Sequence, residues 1–268
     1  MLPFIYLLDS KIPTYSLLTL CGLILAGFFI CTRASKVGIP LYNSVMTLLF
    51  VGMGMAVGGC VLYGLTNIKV LINLIRTIGN YSFDQIVGVV MMAFGGSVFY
   101  GGLIGGTIFG MIYVKHAKLP LGTFCDFVAP GAALFHGFGR IGCFLAGCCY
   151  GAECDFGFIM TKSEVLNANG VRRFPVQLVE SAFEFVLFFV LWFLLSKGLL
   201  KKRLLPLYFM IYPIGRFTLE FFRGDLHRGI WFGFSTSQWI SMALFTVATI
   251  VMITTTLSKS NKKEVIQE

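Results

Sequence analysis

Apolar residues fill most of this chain in long stretches, and polar positions collect in the short breaks between them. An apolar run of ~18 residues or more reads as a membrane-spanning helix. Such runs predict spans near residues 14–31, 44–66, 85–113, 122–146, 176–196, 204–222 and 232–257. The expected fold is therefore an all-α integral membrane protein of seven transmembrane helices. No linker or shift in composition divides the chain, so residues 1–258 are expected to form a single transmembrane domain. The longest polar break, 147–175, is expected to stand over the helices as a small extracytoplasmic head, and 259–268 to form a short cytoplasmic tail. Residues 67–83 mix Ile68, Leu71, Ile72 and Ile75 with Lys69 and Arg76, which suits either a helix lying at the membrane surface or an irregular apolar loop.

Composition strengthens the membrane reading. Hydrophobic residues make up 57% of the chain and charged residues only 12%, against roughly 25% charged in soluble domains. The first apolar run is kept as a span. Asp9 and Lys11 precede it in place of a basic leader, and no small-x-small cleavage site follows. The net charge of +9 is read as setting orientation and meeting anionic headgroups, with no nucleic-acid partner. With seven spans, eleven Lys and Arg fall on the side of Arg33, Lys115 and the 197–203 connection, and eight on the side of Arg76, Arg172 and Arg228. The richer side should be cytoplasmic. This predicts an outer N-terminus and an inner C-terminus.

Two spans carry residues that are costly in lipid. Arg140 lies among Gly137, Gly139 and Gly142. A guanidinium keeps its charge at ordinary pH, and placing it at membrane depth costs ~2.5 kcal/mol or more. It needs a cavity, a counter-charge or a bound anion; an ion pair tying two helices together would also suffice. Tyr212, Arg216, Glu220 and Arg223 share one face of the sixth span, which Pro213 and Gly215 loosen. Three arginines against Glu220 leave a positive excess, suited to a phosphate-bearing headgroup because guanidinium forks grip phosphate oxygens. His136, one helical turn before Arg140, either carries a proton or makes a helix–helix hydrogen bond.

In the third span Gly101 with Gly105, and Gly102 with Gly106, give small-xxx-small spacings. These let helix backbones approach closely. Cys143, Cys148, Cys149 and Cys154 crowd together in the order C-x4-C-C-x4-C, unlike the common C-x2-C metal patterns. Adjacent Cys148 and Cys149 are poorly placed to hold one metal together, so no metal site is expected. Cys143 and Cys148 read as packed thiols, and Cys154 as available for a disulfide. Leu145-Ala146-Gly147-Cys148 spells a lipobox but follows no signal segment, and is read as coincidence or at most as weak mimicry of a substrate.

Taken in order, these motifs resemble the prolipoprotein diacylglyceryl transferase family of the bacterial inner membrane. The resembling stretches are Pro13-Thr14-Tyr15-Ser16, Phe99-Tyr100-Gly101-Gly102-Leu103-Ile104-Gly105, and Asp126 and Pro130 ahead of Gly139-Arg140-Ile141-Gly142-Cys143-Phe144. Further along come Arg173-Phe174-Pro175-Val176-Gln177-Leu178-Val179-Glu180, the face from Tyr212 to Arg223, and Gln238-Trp239-Ile240-Ser241. The family's histidine is Tyr100 here, and the asparagine of its arginine signature is Cys143.

The resemblance implies transfer of a diacylglyceryl group from phosphatidylglycerol to the lipobox cysteine thiol of a prolipoprotein signal peptide. It implies that Arg140 and Arg216 hold the phosphate, that Glu220 orients Arg216, and that Tyr100 stands in the place of the base. Tyr15, Gly101, Gly102, Cys143, Gly151, Tyr212 and Arg223 would line the substrate site. No cofactor is implied. Two other functions suit the same scaffold: a diverged transferase with another acceptor, and a non-catalytic lipid-binding or lipid-transport protein.

Overall fold

The computed structural model describes residues 1–7, 10–96, 98–225 and 229–264. The side chains of Leu7, Ser10, Phe99, Tyr100 and residues 258–264 also lie outside the description, as do His227 and Arg228. The chain is mostly helical. The helices are α1 (Thr14–Lys36), α2 (Leu41–Thr66), α3 (Ile68–Arg76), α4 (Phe83–Phe94), α5 (Phe99–His116), α6 (Leu121–Ala146), α7 (Val176–Ser196), α8 (Leu204–Glu220) and α9 (Thr236–Glu264). Five of them are long and apolar enough to cross a membrane: α1, α2, α6, α7 and the Thr236–Leu257 part of α9.

The 85–113 span is not one helix. It divides into α4 and α5 around Gly95 and Gly96, where two residues without side chains give the helix its weakest propensity. The start of α4 is set by a capping box, with Ser82 and Gln85 each satisfying the other's backbone N–H. Of the two alternatives for 67–83, the helix forms, as α3, with Leu74 buried and Ile75 exposed.

Two compact units divide the chain: residues 34–121, and residues 1–33 with 122–268. In the first unit, α2 and α5 pack backbone to backbone. A Cβ added at Gly101 would stand 2.2 Å from the Gly58 carbonyl oxygen, and one at Gly105 would stand 2.1 Å from that of Gly54. Glycine is required at both crossings, as the spacing anticipated.

The second unit holds α1, α6, α7, α8 and α9 around a core of Ala129, Ala133, Leu187, Leu191, Leu204 and Tyr208. Asp126 on α6 fixes the start of α8. Its carboxylate accepts the backbone N–H of Lys202 and, at 3.0 Å, that of Leu204. Strands β1 (Phe4–Leu7) and β2 (Ser10–Pro13) pair ahead of α1, and Leu2 N–H donates to the Leu145 carbonyl at the end of α6.

Residues 147–175 fold as a small unit in which β3 (Glu153–Ile159) pairs antiparallel with β4 (Arg172–Arg173). Arg173 organises it, donating to the carbonyls of Asn167 at 2.8 Å, Ala168 at 3.3 Å and Gly151 at 3.4 Å and lying over the Tyr150 ring. The short strands β5 (Ile230–Trp231) and β6 (Phe234–Ser235) lead into α9, which continues through Glu264 into the segment read as a tail.

Candidate active site

The chemistry-bearing residues of the second unit gather at one end of its helices. Arg140 is six residues from the last residue of α6, ~9 Å at 1.5 Å per residue. Glu180 sits in the second turn of α7, Glu220 ends α8, Tyr15 lies in the first turn of α1, and Ser237 in the first turn of α9. This is the end that carries the 147–175 segment.

Glu180 is the hub. It is buried, and its Oε2 accepts Arg140 Nη2. Its Oε1 stands 4.0 Å from Arg216 Nε and 3.8 Å from His136 Nε2. Arg216 Nη2 reaches Glu220 at 2.7 Å and Ser237 Oγ at 3.2 Å. His136 Nδ1 lies 2.9 Å from the wholly buried Glu184, and its ring meets the edge of Tyr212, which stacks on Tyr208. Arg223 forms a fork with Asp225 at 2.7 and 3.1 Å.

Spacing alone suggested three cations against one anion. The structure overturns that excess. Helix α7 turns Glu180 toward Arg140 and Arg216 and Glu184 toward His136, and Asp225 pairs with Arg223, so Glu180, Glu220 and Asp225 balance the three arginines. Which face of α7 points inward is set by its neighbours and is invisible in the residues of α6 and α8. Arg140 Nε and Arg216 Nη1 are buried and have no hydrogen-bond partner among the described residues. A buried donor left unmatched costs ~1–3 kcal/mol, more when charged. A phosphate oxygen would recover that cost.

The remaining predicted residues divide in three ways. Tyr15 stacks against Gly142, beside Arg140. Cys143 receives Arg140 Nη1 at 3.9 Å, and Gly151 pairs with Arg223 in an isolated bridge. Gly101 and Gly102 belong to the other unit, where Gly101 serves helix packing. The Tyr100 side chain lies outside the described residues.

Spacing singles out neither Glu184 nor Asp225 as a site residue, and Gln177 and Glu180 enter only within their motif. Two carboxylates four residues apart in an otherwise apolar 21-residue helix were the available signal.

The three thiols of Cys143, Cys148 and Cys149 lie within 4.8 Å of one another. The adjacent pair does converge, because Cys149 takes a left-handed backbone (φ 54°) that breaks the usual alternation of neighbouring side chains. Hydrogen bonds from Cys143 and Cys148 hold the Cys149 thiol below the ordinary cysteine range, helped by Arg223 and Arg140 and opposed by burial. Burial works against the Arg223 charge, but Cys149 and Asp225 outweigh it and hold the guanidinium above its usual range. Cys154 has no disulfide; its thiol donates to the Phe156 carbonyl.

An apolar groove of about 410 Å³ runs along α1, α6 and α7, lined by Phe28, Phe29, Leu134, Phe138, Phe185 and Phe188. It begins two residues from Arg140 along α6 and continues away from the 147–175 end.

The sequence model of the family described as prolipoprotein diacylglyceryl transferase matches residues 3–254. The chain is 36% identical over 250 residues to the phosphatidylglycerol–prolipoprotein diacylglyceryl transferase of Clostridium tetani, covering 90% of this chain and 91% of that one. It is 35% identical over 238 residues to phosphatidylglycerol–prolipoprotein diacylglyceryl transferase 2 of Clostridium perfringens, covering 87% and 86%. Its identity to the Pasteurella multocida transferase is 31% over 264 residues, covering 94% and 91%. The chain belongs to the prolipoprotein diacylglyceryl transferase family.

Proposed function

We propose that this protein transfers the diacylglyceryl group of phosphatidylglycerol to the lipobox cysteine thiol of prolipoproteins, in the bacterial cytoplasmic membrane. The observation that carries the reading is the convergence of Arg140 and Arg216 on Glu180, each keeping a buried N–H without a partner. That arrangement offers a phosphodiester two donors already aimed, in a site shielded from water.

The reaction breaks the bond between the glyceryl carbon and the phosphate oxygen. The thiolate sulfur forms a C–S bond to that carbon, and the C–O electron pair leaves with glycerol phosphate. Arg140 and Arg216 stabilise the charge that grows on the phosphate. Glu180 and Glu220 hold the two guanidinium groups in place. The acceptor thiol must lose its proton, since the thiolate is the nucleophile. His136 takes it, oriented through Nδ1 by Glu184. Tyr15 contacts the headgroup from the first turn of α1, and an acyl chain follows the phenylalanine groove into the bilayer.

The site then belongs at the outer leaflet, with 147–175 as an extracytoplasmic head and seven spans that include α5 and α8. The excess of basic residues in the 33–36, 115–118, 197–203 and 259–263 segments supports this orientation. The deciding assay supplies purified protein with phosphatidylglycerol vesicles and a lipobox peptide. A diacylglyceryl thioether is expected, and its absence with every acceptor peptide overturns the reading.

A further inference from the structure

The cluster of Cys143, Cys148 and Cys149 is not needed by the mechanism above, and the fold builds it with care. Cys148 N–H donates to the Cys143 carbonyl at 3.1 Å, closing the end of α6. Gln177 on α7 donates to the Cys148 carbonyl at 2.8 Å, and Ser163 donates to that of Gly147 at 2.9 Å. Beyond the pair, Gly224 N–H donates to the Tyr150 carbonyl at 3.0 Å and Ala152 N–H to that of Phe222 at 2.8 Å. The turn bearing two of the sulfurs is thus pinned to α6, α7 and the end of α8. A Cβ at Gly147, which has φ +76°, would strike Ser163, so the turn cannot relax away from it.

Three sulfurs around a tetrahedral or trigonal ion at ~2.3 Å stand ~3.8–4.0 Å apart. The observed separations of at most 4.8 Å need only a small contraction. Three thiolates around a divalent ion carry one net negative charge, and Arg140, with Nη1 3.9 Å from Cys143 Sγ, stands beside it. Cys148 and Cys149 are partly exposed, which leaves one side of the cluster approachable, while Cys143 is buried.

We propose that Cys143, Cys148 and Cys149 bind a zinc ion whose open fourth position takes the acceptor cysteine. This rests on the transferase reading and deepens it. Three protein ligands and one open position are the arrangement of reactive zinc sites. Coordination deprotonates a thiol outright, which supplies the nucleophile directly. The acceptor S–H binds zinc and releases its proton to water on the partly exposed side of the cluster, beside Cys148 and Cys149. The zinc-bound sulfur then donates its electron pair to the glyceryl carbon as the C–O pair leaves on glycerol phosphate. The thioether formed is a weak ligand and departs from the zinc.

The test is metal binding and transfer measured separately on the purified full-length protein. Zinc added to the apoprotein should be retained at about one ion per chain, and cobalt in its place should show thiolate-to-metal charge transfer, as a site with three sulfur ligands requires. The double variant C148S/C149S should lose both signals, while C154S, outside the cluster, should keep them. Unlabelled wild-type protein should also be protected by zinc from alkylation at Cys143, Cys148 and Cys149, a readout that needs no variant to fold. Transfer should fall on chelation and return with zinc. Failure to retain zinc or cobalt, or full transfer after chelation, overturns the zinc site and leaves the transferase reading standing. Retained zinc with no transfer overturns the transferase reading instead. A monovalent copper ion bound in preference to zinc, or a Cys148–Cys149 disulfide in the protein as purified from cells, also overturns the proposal.

Discussion

Arg140 on α6 and Arg216 on α8 meet at one carboxylate, that of Glu180 on α7, and each keeps a buried N–H with no partner among the described residues. Glu180 alone does not satisfy them, so the pair is poised for a further acceptor.

Replacing either arginine with alanine should abolish lipid transfer. Lysine should also fail, because an ammonium cannot form the fork. Glu180→Gln removes one partner of a buried pair, and breaking such a pair costs ~3–5 kcal/mol. It should therefore lower thermal stability as well as activity. Transfer assays on detergent-purified variants, with melting curves alongside, check both effects. Normal transfer by R216K would contradict the fork.

His136→Asn removes the proton acceptor while keeping a side chain of similar reach. A loss of ~10²–10⁴-fold in kcat is expected. Melting temperature should stay close to that of the wild type. A variant that melts lower but turns over at the wild-type rate would assign His136 to packing.

Tyr100→Phe removes a single hydroxyl. Loss of one hydrogen bond to a charged group costs roughly 1.5–3 kcal/mol, about ten- to a hundredfold in rate. Tyr100→His should retain or raise activity. Wild-type rates for Tyr100→Phe would show that the hydroxyl takes no part.

Gly54→Val should disrupt the first unit. The added side chain meets the Gly105 carbonyl oxygen 2.3 Å from its Cβ, backbone that cannot swing aside. Overpacking of this kind costs ~1–3 kcal/mol or more. Gly52→Val, where nothing lies within 4 Å, is the control. The yield of folded protein after membrane extraction distinguishes the two.

The seven-span orientation predicts a C-terminus in the cytoplasm. Alkaline phosphatase fused there should be inactive, a green fluorescent reporter should fold, and phosphatase inserted within 147–175 should be active. The reverse pattern would invert the topology.

Much of this protein was legible in its sequence, because lipid imposes strong one-dimensional rules. Runs of apolar residues located the helices, buried charge marked Arg140 and Arg216, and glycine spacing marked the α2–α5 crossing. Motif order pointed to the family that the chain belongs to. Where a property depends on which helix faces turn toward each other, periodicity within one helix is silent. Only the packing of α6, α7 and α8 brought Glu180 to the arginines and Glu184 to His136, and replaced a presumed charge excess with an ion-paired network holding two open donors. Only the left-handed turn at Cys149 gathered three thiols that linear spacing kept apart. The break between α4 and α5 likewise came from local backbone preference at Gly95 and Gly96, which an averaged apolar run conceals. The sequence by itself determined what must be hidden from water and from lipid; tertiary contact decided which polar groups are hidden together, since pairing between helices is a property of three-dimensional neighbours and not of chain order.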